Sequence, residues 1–322
     1  MNNYDSNGIN QINDQEENVL VHIGYHKTGT SWLQQFLFNE EWGIAKAVPR
    51  PMIKENLIHL NALDYNADKC RQKLIPHIHE AKKKKLISVI SEERLSGNPH
   101  SGGYDSKEIA DRLFDAFPGA KILIIIREQN NMIRSAYKQY VKGVGSYSLK
   151  KYLAPSSQKK LPTFDFSHFK YHRLIKYYID LFGKDNVLVL PYESFKEDPA
   201  GFIERIVHFA GSRGFDVKAL ADKKNEKVNI SMSSFTAAYK RCLNPLIIED
   251  MGSVFFLSRR IGRLLKRLMF IIDGFIPVFI KNAHEKKCRD IIKSAVGSKY
   301  QESNRITSEM INTDLRKYGY DT

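Results

Sequence analysis

The most regular feature of the chain is a series of short apolar runs, rich in β-branched side chains, separated by amphipathic stretches. Runs of this length and composition are typical of strands. The predicted strands are residues 20–24, 86–90, 121–127 and 187–192. Because these runs are almost continuously apolar, we expect a parallel sheet whose two faces are both covered.

The stretches between the strands carry apolar residues at helical spacing. The predicted helices are residues 30–40, 67–85, 105–117, 130–142, 165–182 and 198–210. Repeated alternation of strand and helix predicts an α/β fold, a doubly wound and mostly parallel sheet flanked by helices, here with a helical C-terminal part. In such folds, ligands bind at the carboxyl ends of the strands.

Two polar segments fall outside this alternation. Residues 1–17 are polar and mildly acidic, and we expect a disordered tail that leaves residues 18–322 as a single domain. Residues 143–163 are rich in Gly, Ser, Pro and Lys and predict a long loop. The composition leaves open whether this loop lines a binding site or is a floppy insertion.

Residues 255–281 are strongly hydrophobic but are interrupted by charged side chains. No uncharged run among them reaches the roughly 18 residues that a membrane-spanning helix requires. One interpretation is a basic amphipathic helix that lies on an anionic membrane surface. The other is a helix that packs on the protein's own core or on a partner, and the sequence leaves both open.

Charge and cysteine content narrow the class of protein. The chain has 322 residues, 42% of them hydrophobic, and 50 Lys+Arg against 36 Asp+Glu give a net charge of +14. This excess favours acidic partners such as nucleotides, anionic glycans, nucleic acid or anionic lipid. Cys70, Cys242 and Cys288 are far apart, which argues against a disulfide framework and a zinc site. Since the N-terminus also lacks the pattern of a secretory signal, we expect a cytoplasmic protein.

The segment after the first strand, GYHKTGTSW, has the glycines and hydroxyls of a phosphate-binding loop. A nucleotide triphosphatase loop carries lysine directly after its second glycine, but here Thr30 follows Gly29 and the lysine lies upstream at Lys27. A strand, a glycine turn and a helix start place several backbone N–H groups around one point, which is an anion site. Thr28, Thr30 and Ser31 add hydroxyl donors. Because no acidic strand end is suited to Mg²⁺, we expect metal-free transfer in which Lys27 neutralises the leaving group.

The loop GYHKTGTSWLQ resembles the 5′-phosphosulfate loop of sulfotransferases that use 3′-phosphoadenylyl sulfate (PAPS), in particular their bacterial and carbohydrate branch. The similarity continues in KILIIIREQNNMIRSAYKQY, where Arg127 ends a strand and Ser135 follows eight residues later. The resemblance implies that this pair grips the 3′-phosphate of the donor. Arginine presents a planar fork to a phosphate, and two helical turns bring Ser135 back beside the same pocket.

Further segments extend the resemblance toward the C-terminus. VLVLPYESFKEDP implies that Tyr192 lies near the adenine and that Glu193 is structural, while KVNISMSSF implies donor contacts from Lys227 and Asn229. The tail YQESNRITSEMINTDLRKYGY completes a similarity that spans residues 18–320. The donor-binding residues implied are Lys27, Thr28, Gly29, Thr30, Ser31, Trp32, Arg127, Ser135, Tyr192 and Asn229, and no metal is expected.

A base must take the acceptor's proton, and the strand end SEERLSG carries two adjacent glutamates. Consecutive residues that leave a strand point to opposite sides, so only one of Glu92 and Glu93 should face the donor. The resemblance to carbohydrate-type members implies Glu93. Glu92, His100 and an ordinary surface acidic pair remain alternatives. His22, in the strand, and His26, in the loop, are expected to be structural.

These features predict an enzyme that transfers a sulfuryl group from PAPS to a hydroxyl or amine of a glycan or glycolipid. The alternatives are a P-loop kinase or triphosphatase with an atypical loop, and a basic, non-catalytic protein that binds membrane or nucleic acid. No nucleic-acid-reading motif is present in the sequence, so we expect no nucleic-acid partner. The acceptor stays unassigned because residues 41–85, 143–163 and 240–290 carry no motif that the resemblance explains.

Overall fold

The computed structural model describes residues 19–143, 145–154, 162–212, 216–226, 233–246 and 275–322. The expectations for the tail at residues 1–17 and for Asn229, with its neighbour Lys227, lie outside the described residues. Most of residues 255–281 lies outside them as well.

Five parallel strands form the sheet of the described part of the chain. They are β1 (Val19–His22), β2 (Ile44–Lys46), β3 (Ile87–Ser91), β4 (Lys121–Ile126) and β5 (Val187–Pro191). Their order is β2-β3-β1-β4-β5, and every neighbouring pair is parallel. The predicted α/β fold and all four predicted strands are confirmed. β2 is absent from the prediction because a strand of three residues is too short to show a period.

Side chains alternate between the two faces of the sheet, and both faces are buried, as the apolar runs predict. In β4, for example, Ile122 and Ile124 pack into one hydrophobic core, whereas Leu123 and Ile125 pack into the other. Because β1 lies in the middle of the sheet, the loop after it is flanked by the ends of β3 and β4. This arrangement gathers three loops at the carboxyl edge of the sheet.

Helices cover both faces of the sheet. In chain order, those of the described residues are α1 (Thr30–Trp32), α2 (Arg50–Ile53), α3 (Ala67–Lys83), α4 (Ser106–Ala116), α5 (Gln129–Lys142), α6 (Leu149–Leu153), α7 (Tyr171–Phe182), α8 (Tyr192–Glu197), α9 (Pro199–Ala210), α10 (Val217–Ala221), α11 (Ser234–Leu243), α12 (Val278–Val296) and α13 (Gln301–Met310). The predictions at 67–85, 105–117, 130–142 and 198–210 agree with α3, α4, α5 and α9 to within two residues at each end.

Three sequence expectations need correction. The predicted helix 30–40 is α-helical only in α1 and continues as a π-helical turn, Leu33–Leu37. The predicted helix 165–182 begins with a 3-10 turn and becomes regular only at Tyr171, because Lys170 has a non-helical ψ of 77°. The predicted loop 143–163 contains α6, whose apolar residues at helical spacing are buried in the core.

The C-terminal helices confirm the predicted helical part and brace the sheet edge. The Asn304 and Gln129 amides exchange two hydrogen bonds, of 2.6 and 3.2 Å, which joins α13 to the start of α5. The Tyr320 hydroxyl donates to Glu193 Oε2 at 3.1 Å, which joins the C-terminus to α8. No helix in the described part of the chain is long and apolar enough to cross a membrane.

Candidate active site

The loop after β1 folds into a tight turn through two residues in the left-handed region, Lys27 with φ 66° and Gly29 with φ 85°. Glycine is required at the second position because a Cβ there would also lie 2.9 Å from Cε2 of Tyr192. The Thr28 hydroxyl donates to the Tyr25 carbonyl at 2.5 Å, so it fixes the turn from within. The N-terminus of α1 therefore opens at the carboxyl edge of the sheet, as an anion site requires.

Arg127 connects this loop to the neighbouring helices. Its Nη1 donates to the Lys27 carbonyl at 2.9 Å and to Ser135 Oγ at 3.1 Å. Its guanidinium also lies 5.4 Å from the centre of the Tyr192 ring, which follows β5. The structure thus brings Lys27, Arg127, Ser135 and Tyr192 together from four separate parts of the sequence.

Among the buried polar atoms that lack a hydrogen-bond partner in the described residues are the Thr30 Oγ1 and the Arg127 Nε. A buried donor that lacks a partner is costly, so such atoms call for a ligand or ordered water. A phosphate is a strong acceptor for both kinds of donor. The residues present therefore fit a phosphorylated ligand that lies across the loop and the end of β4.

Two other residues of the expected donor set, and the Glu193 carboxylate beside Tyr192, have different surroundings. Trp32 is buried, its Nε1 donates to the Lys223 carbonyl at 3.1 Å, and its ring packs 4.7 Å from Phe195. Its side chain therefore supports the loop from the core. Ser31 is exposed at the start of α1. Glu193 accepts from the Glu128 backbone N–H at 3.2 Å as well as from Tyr320, in keeping with the structural role expected of it.

The two adjacent glutamates after β3 have opposite environments. Glu92 has no exposed surface and binds Arg50 through two hydrogen bonds, at 2.6 and 3.0 Å. Glu93 is half-buried, and its carboxylate has no hydrogen bond or ion pair with any residue that the structure describes. Burial, followed by the charge of Glu92, raises the pKa of Glu93, although Arg50 and Lys27 oppose the shift. Of the two carboxylates, Glu92 is held by Arg50 through both of its oxygens, whereas Glu93 has no such partner among the described residues.

Lys27 and Glu93, which follow the neighbouring strands β1 and β3, influence each other electrostatically. Partial burial lowers the pKa of the Lys27 ammonium, as do the charges of Lys142 and Arg127, whereas Glu93 raises it. Lys27 in turn lowers the pKa of Glu93, as expected for two groups of opposite charge that lie near each other. A cation and a carboxylate of opposite charge therefore follow the neighbouring strands β1 and β3 and influence each other's pKa.

The histidines near these residues are neutral at pH 7. Burial lowers the pKa of His100 to about 4, with Arg94 adding to the effect, and its Nδ1 lies 3.0 Å from the Tyr152 hydroxyl. Burial lowers the pKa of His22 to about 3, and the pKa of His26 lies well below its usual value, mainly because of burial. A histidine with a pKa that low is a weak proton acceptor at neutral pH.

Some residues of the site were missing from the sequence prediction. Arg50, which binds Glu92, comes from a segment without a motif, and a contact across 42 residues leaves no local signal. The charge of Lys54 lowers the pKa of Glu93, and the charge of Lys142 lowers the pKa of Lys27. No motif distinguishes these two lysines from the other basic residues of the chain. In the described part of the chain, no group of three or more His, Cys, Asp or Glu side chains could hold a metal ion.

The model of the sulfotransferase domain family matches residues 17–236, which is most of the chain. The chain therefore belongs to the sulfotransferase family. It is a transferase of the class that moves a sulfuryl group from PAPS to an acceptor. The position of Lys27 in the loop left a triphosphatase as an alternative to a sulfotransferase. Membership in this family decides for the sulfotransferase.

Solved structures with similar folds include a sulfotransferase from Alicyclobacillus acidocaldarius. It has 14% sequence identity and a TM-score of 0.51, and the match covers 93% of this chain and 98% of that one. The mouse sulfotransferase SULT7A1 complexed with PAP matches with 14% identity and a TM-score of 0.35 over 84% of this chain and 89% of that one. The first supports the same fold, whereas the score of the second is too low to bear on it. No curated protein sequence matches the chain.

Proposed function

We propose that this chain, as a sulfotransferase of the bacterial and carbohydrate branch, sulfates a hydroxyl or amine of a glycan or glycolipid in the cytoplasm. We treat residues 18–322 as one domain. The observation that carries the proposal is the contact of Arg127 with both the Lys27 carbonyl and Ser135 Oγ. This contact joins a loop suited to a 5′-phosphate to a pair suited to a 3′-phosphate.

The donor supplies a sulfuryl group attached to its 5′-phosphate. Lys27, the hydroxyls of Thr30 and Ser31, and the backbone of the loop from Thr28 through Gly29 would hold that phosphate. Arg127 and Ser135 would hold the 3′-phosphate. The Tyr192 ring, beside both Gly29 and Arg127, would lie near the adenine. Trp32 supports the loop, and Asn229 is proposed as a further donor contact on the resemblance alone.

Glu93 is proposed as the base. As the acceptor oxygen or nitrogen bonds to sulfur, its proton passes to a Glu93 carboxylate oxygen, and the bond between sulfur and the bridging oxygen of the 5′-phosphate breaks. Lys27 stabilises the negative charge that grows on that oxygen. Glu92 is a poorer choice because both of its oxygens already accept from Arg50. His100 is a poorer choice because its pKa is lowered to about 4.

Thermal denaturation with adenosine 3′,5′-diphosphate, ADP and ATP tests the donor assignment. At a hundred times its Kd, a ligand stabilises by about 2.7 kcal/mol, a rise in Tm of roughly 4 °C for a chain of this size. We expect the 3′,5′-diphosphate to give that rise without Mg²⁺ and ADP to give much less. Arg127→Met should remove the difference between the two. A larger, Mg²⁺-dependent rise with ATP would contradict the proposal.

A glycolipid acceptor also gives a reason for membrane contact, and we propose peripheral binding through residues 255–281. Three hydrophobic side chains near the end of that segment are strongly exposed: Phe275 (83%), Val278 (70%) and Phe279 (71%). Arginine and lysine accompany apolar residues along this segment, a combination that binds anionic lipid surfaces.

Co-sedimentation with vesicles tests this contact. We expect binding to vesicles that contain phosphatidylglycerol and little binding to pure phosphatidylcholine. The double variant Phe275→Ser/Phe279→Ser should weaken binding. Leu63→Ser is the matched control because Leu63 is an equally prominent exposed hydrophobic residue (95%) in a different part of the chain. Equal binding of both variants, or no binding by the unaltered protein, would contradict membrane contact through this segment.

A further inference from the structure

One face of α5 carries a row of polar side chains that continues away from the expected donor site. Ser135, Gln139 and Lys142 are spaced by four and three residues, so they lie on the same face of the helix. Lys142 lies two turns beyond Ser135, about 10 Å further along the helix axis. The buried Gln139 Oε1 has no hydrogen-bond partner among the described residues. Beyond Ser135, the row therefore provides two polar side chains, Gln139 and Lys142, to which no donor contact is assigned.

The end of α5 that carries Lys142 is held firmly in place. The buried Lys240 ammonium donates to the carbonyls of Val141, Lys142 and Gly143 at 2.6, 2.6 and 2.8 Å. Asn244 Nδ2 donates to the Val141 carbonyl at 2.9 Å. A cation at a helix C-terminus stabilises it. Lys142 therefore projects from an anchored helix end, and its ammonium has no carboxylate partner in the part of the chain that the structure describes.

A second cation belongs to the segment after β2, the strand that flanks β3 on the side away from β1 and β4. Arg50, at the start of α2, is bound to Glu92 directly beside Glu93. Lys54 follows four residues later, one helical turn on, so it lies on the same face of the helix as Arg50. Its charge lowers the pKa of Glu93, which agrees with this placement. Lys54 is half-buried and has no carboxylate partner among the described residues.

We propose that Lys54 and Lys142 bind an anionic group of the acceptor, so that the enzyme sulfates an acidic glycan or a sugar phosphate in preference to a neutral sugar. The inference rests on the proposed function, in which Lys27, Arg127 and Ser135 face the donor. Lys54 follows β2, and Lys142 ends α5, which follows β4, so the two lysines come from opposite sides of the β3–β1 pair in the sheet order. Neither has an assigned anion. Cations that line a cleft raise the local concentration of an anionic substrate and orient it, and a missing anionic group leaves them unpaired.

The test measures binding of matched probes to enzyme saturated with adenosine 3′,5′-diphosphate, so that the donor site is occupied. One pair is hyaluronan hexasaccharide and its carboxyl-reduced, neutral form, and the other is maltose 1-phosphate and maltose. We expect at least one anionic probe to bind about tenfold tighter than its neutral partner, the effect of one charge-assisted contact. A preference in the first pair indicates a carboxylate, and a preference in the second indicates a phosphate.

Lys54→Met and Lys142→Met should each reduce that preference by several-fold, and Lys54→Arg should largely retain it. Lys184→Met is the control for net charge, because Lys184 is exposed before β5, at the opposite edge of the sheet. The inference is overturned if both members of each pair bind alike, or if Lys184→Met has the same effect. Thermal stabilisation by the 3′,5′-diphosphate, measured on the same samples, separates the two proposals. If it is present and no anion preference is found, only this inference fails.

Discussion

The two sides of the cleft differ in how their charged groups are held. On the donor side, Arg127 is hydrogen-bonded to the loop and to Ser135, and Gly29 packs against Tyr192. On the proposed acceptor side, the Glu93 carboxylate makes no hydrogen bond or ion pair with a described residue, and Lys54 and Lys142 have no described carboxylate partner. One side is organised before any ligand binds, whereas the other leaves its charges available to the acceptor.

This difference suggests a division of labour. A donor that is the same for every member of the family allows its site to be built from fixed contacts, which lowers the entropy lost on binding. An acceptor that differs from one member of the family to another is better recognised by side chains that can be substituted one at a time without disturbing the fold. Substitutions on the two sides of the cleft should therefore have different effects on stability, donor binding and activity.

The largest effect is expected for Glu93→Gln. Removal of a positioned base lowers kcat by roughly 10²- to 10⁴-fold, while the 3′,5′-diphosphate should still bind. Because burial raises the pKa of Glu93, its ionised form is disfavoured in the folded state. Ionised Glu93 therefore costs stability as the pH rises through its folded pKa, and Glu93→Gln should keep or raise the Tm at neutral pH. Retained activity in this variant would remove Glu93 as the base.

The pH profile provides a second readout of the same residue. The base must be deprotonated, so activity should rise with pH through the pKa of Glu93, which burial raises above its ordinary value. A rate measured against pH should show its acid limb displaced upward accordingly. An acid limb near pH 4 or below would indicate a carboxylate that is not perturbed in this way.

Lys27→Ala should lower kcat by about 10²- to 10³-fold, the usual effect of removing one group that stabilises transition-state charge. The measurement is sulfate transfer at saturating donor. The hydrogen bond from Arg127 uses the backbone carbonyl of Lys27, not its side chain, so the fold of the loop should persist. A normal Tm combined with lost activity would support this role. A variant with nearly full kcat would show that another cation neutralises the leaving group.

Glu92→Gln changes the carboxylate next to Glu93, but we expect it to lower stability and not the rate of transfer. Loss of one partner of a buried ion pair costs 3–5 kcal/mol, and here we expect roughly 3 kcal/mol because Arg50 is partly exposed. Denaturant unfolding measures this directly. If the folded fraction retains a kcat close to that of the unaltered enzyme, Glu92 is structural. A large loss of kcat without loss of stability would instead favour Glu92 as the base.

The sequence was most informative where chemistry depends on local spacing. Buried strands carry apolar runs, and Ser135 follows Arg127 by eight residues, about two helical turns. The strands and this pair of residues can therefore be predicted without a structure. β2 cannot be predicted in this way because it is only three residues long. The pairing of Arg50 with Glu92 cannot be predicted either, because it joins positions 42 residues apart. The lysines of the acceptor side are the extreme case, because nothing in the sequence separates Lys54 and Lys142 from the other basic residues.

The smallest effect is expected for Ser135→Ala. One neutral hydrogen bond contributes about 0.5–1.5 kcal/mol, whereas a bond to a charged group contributes 1.5–3 kcal/mol. Loss of the hydroxyl should therefore weaken binding of the 3′,5′-diphosphate by about tenfold and leave ADP binding almost unchanged, as calorimetry can measure. Gln139→Ala is the matched control, since Gln139 lies one turn further along the same face of α5. If both variants weaken binding of the diphosphate equally, the donor site extends along α5 toward Lys142. Gln139 then belongs to the donor side of the cleft.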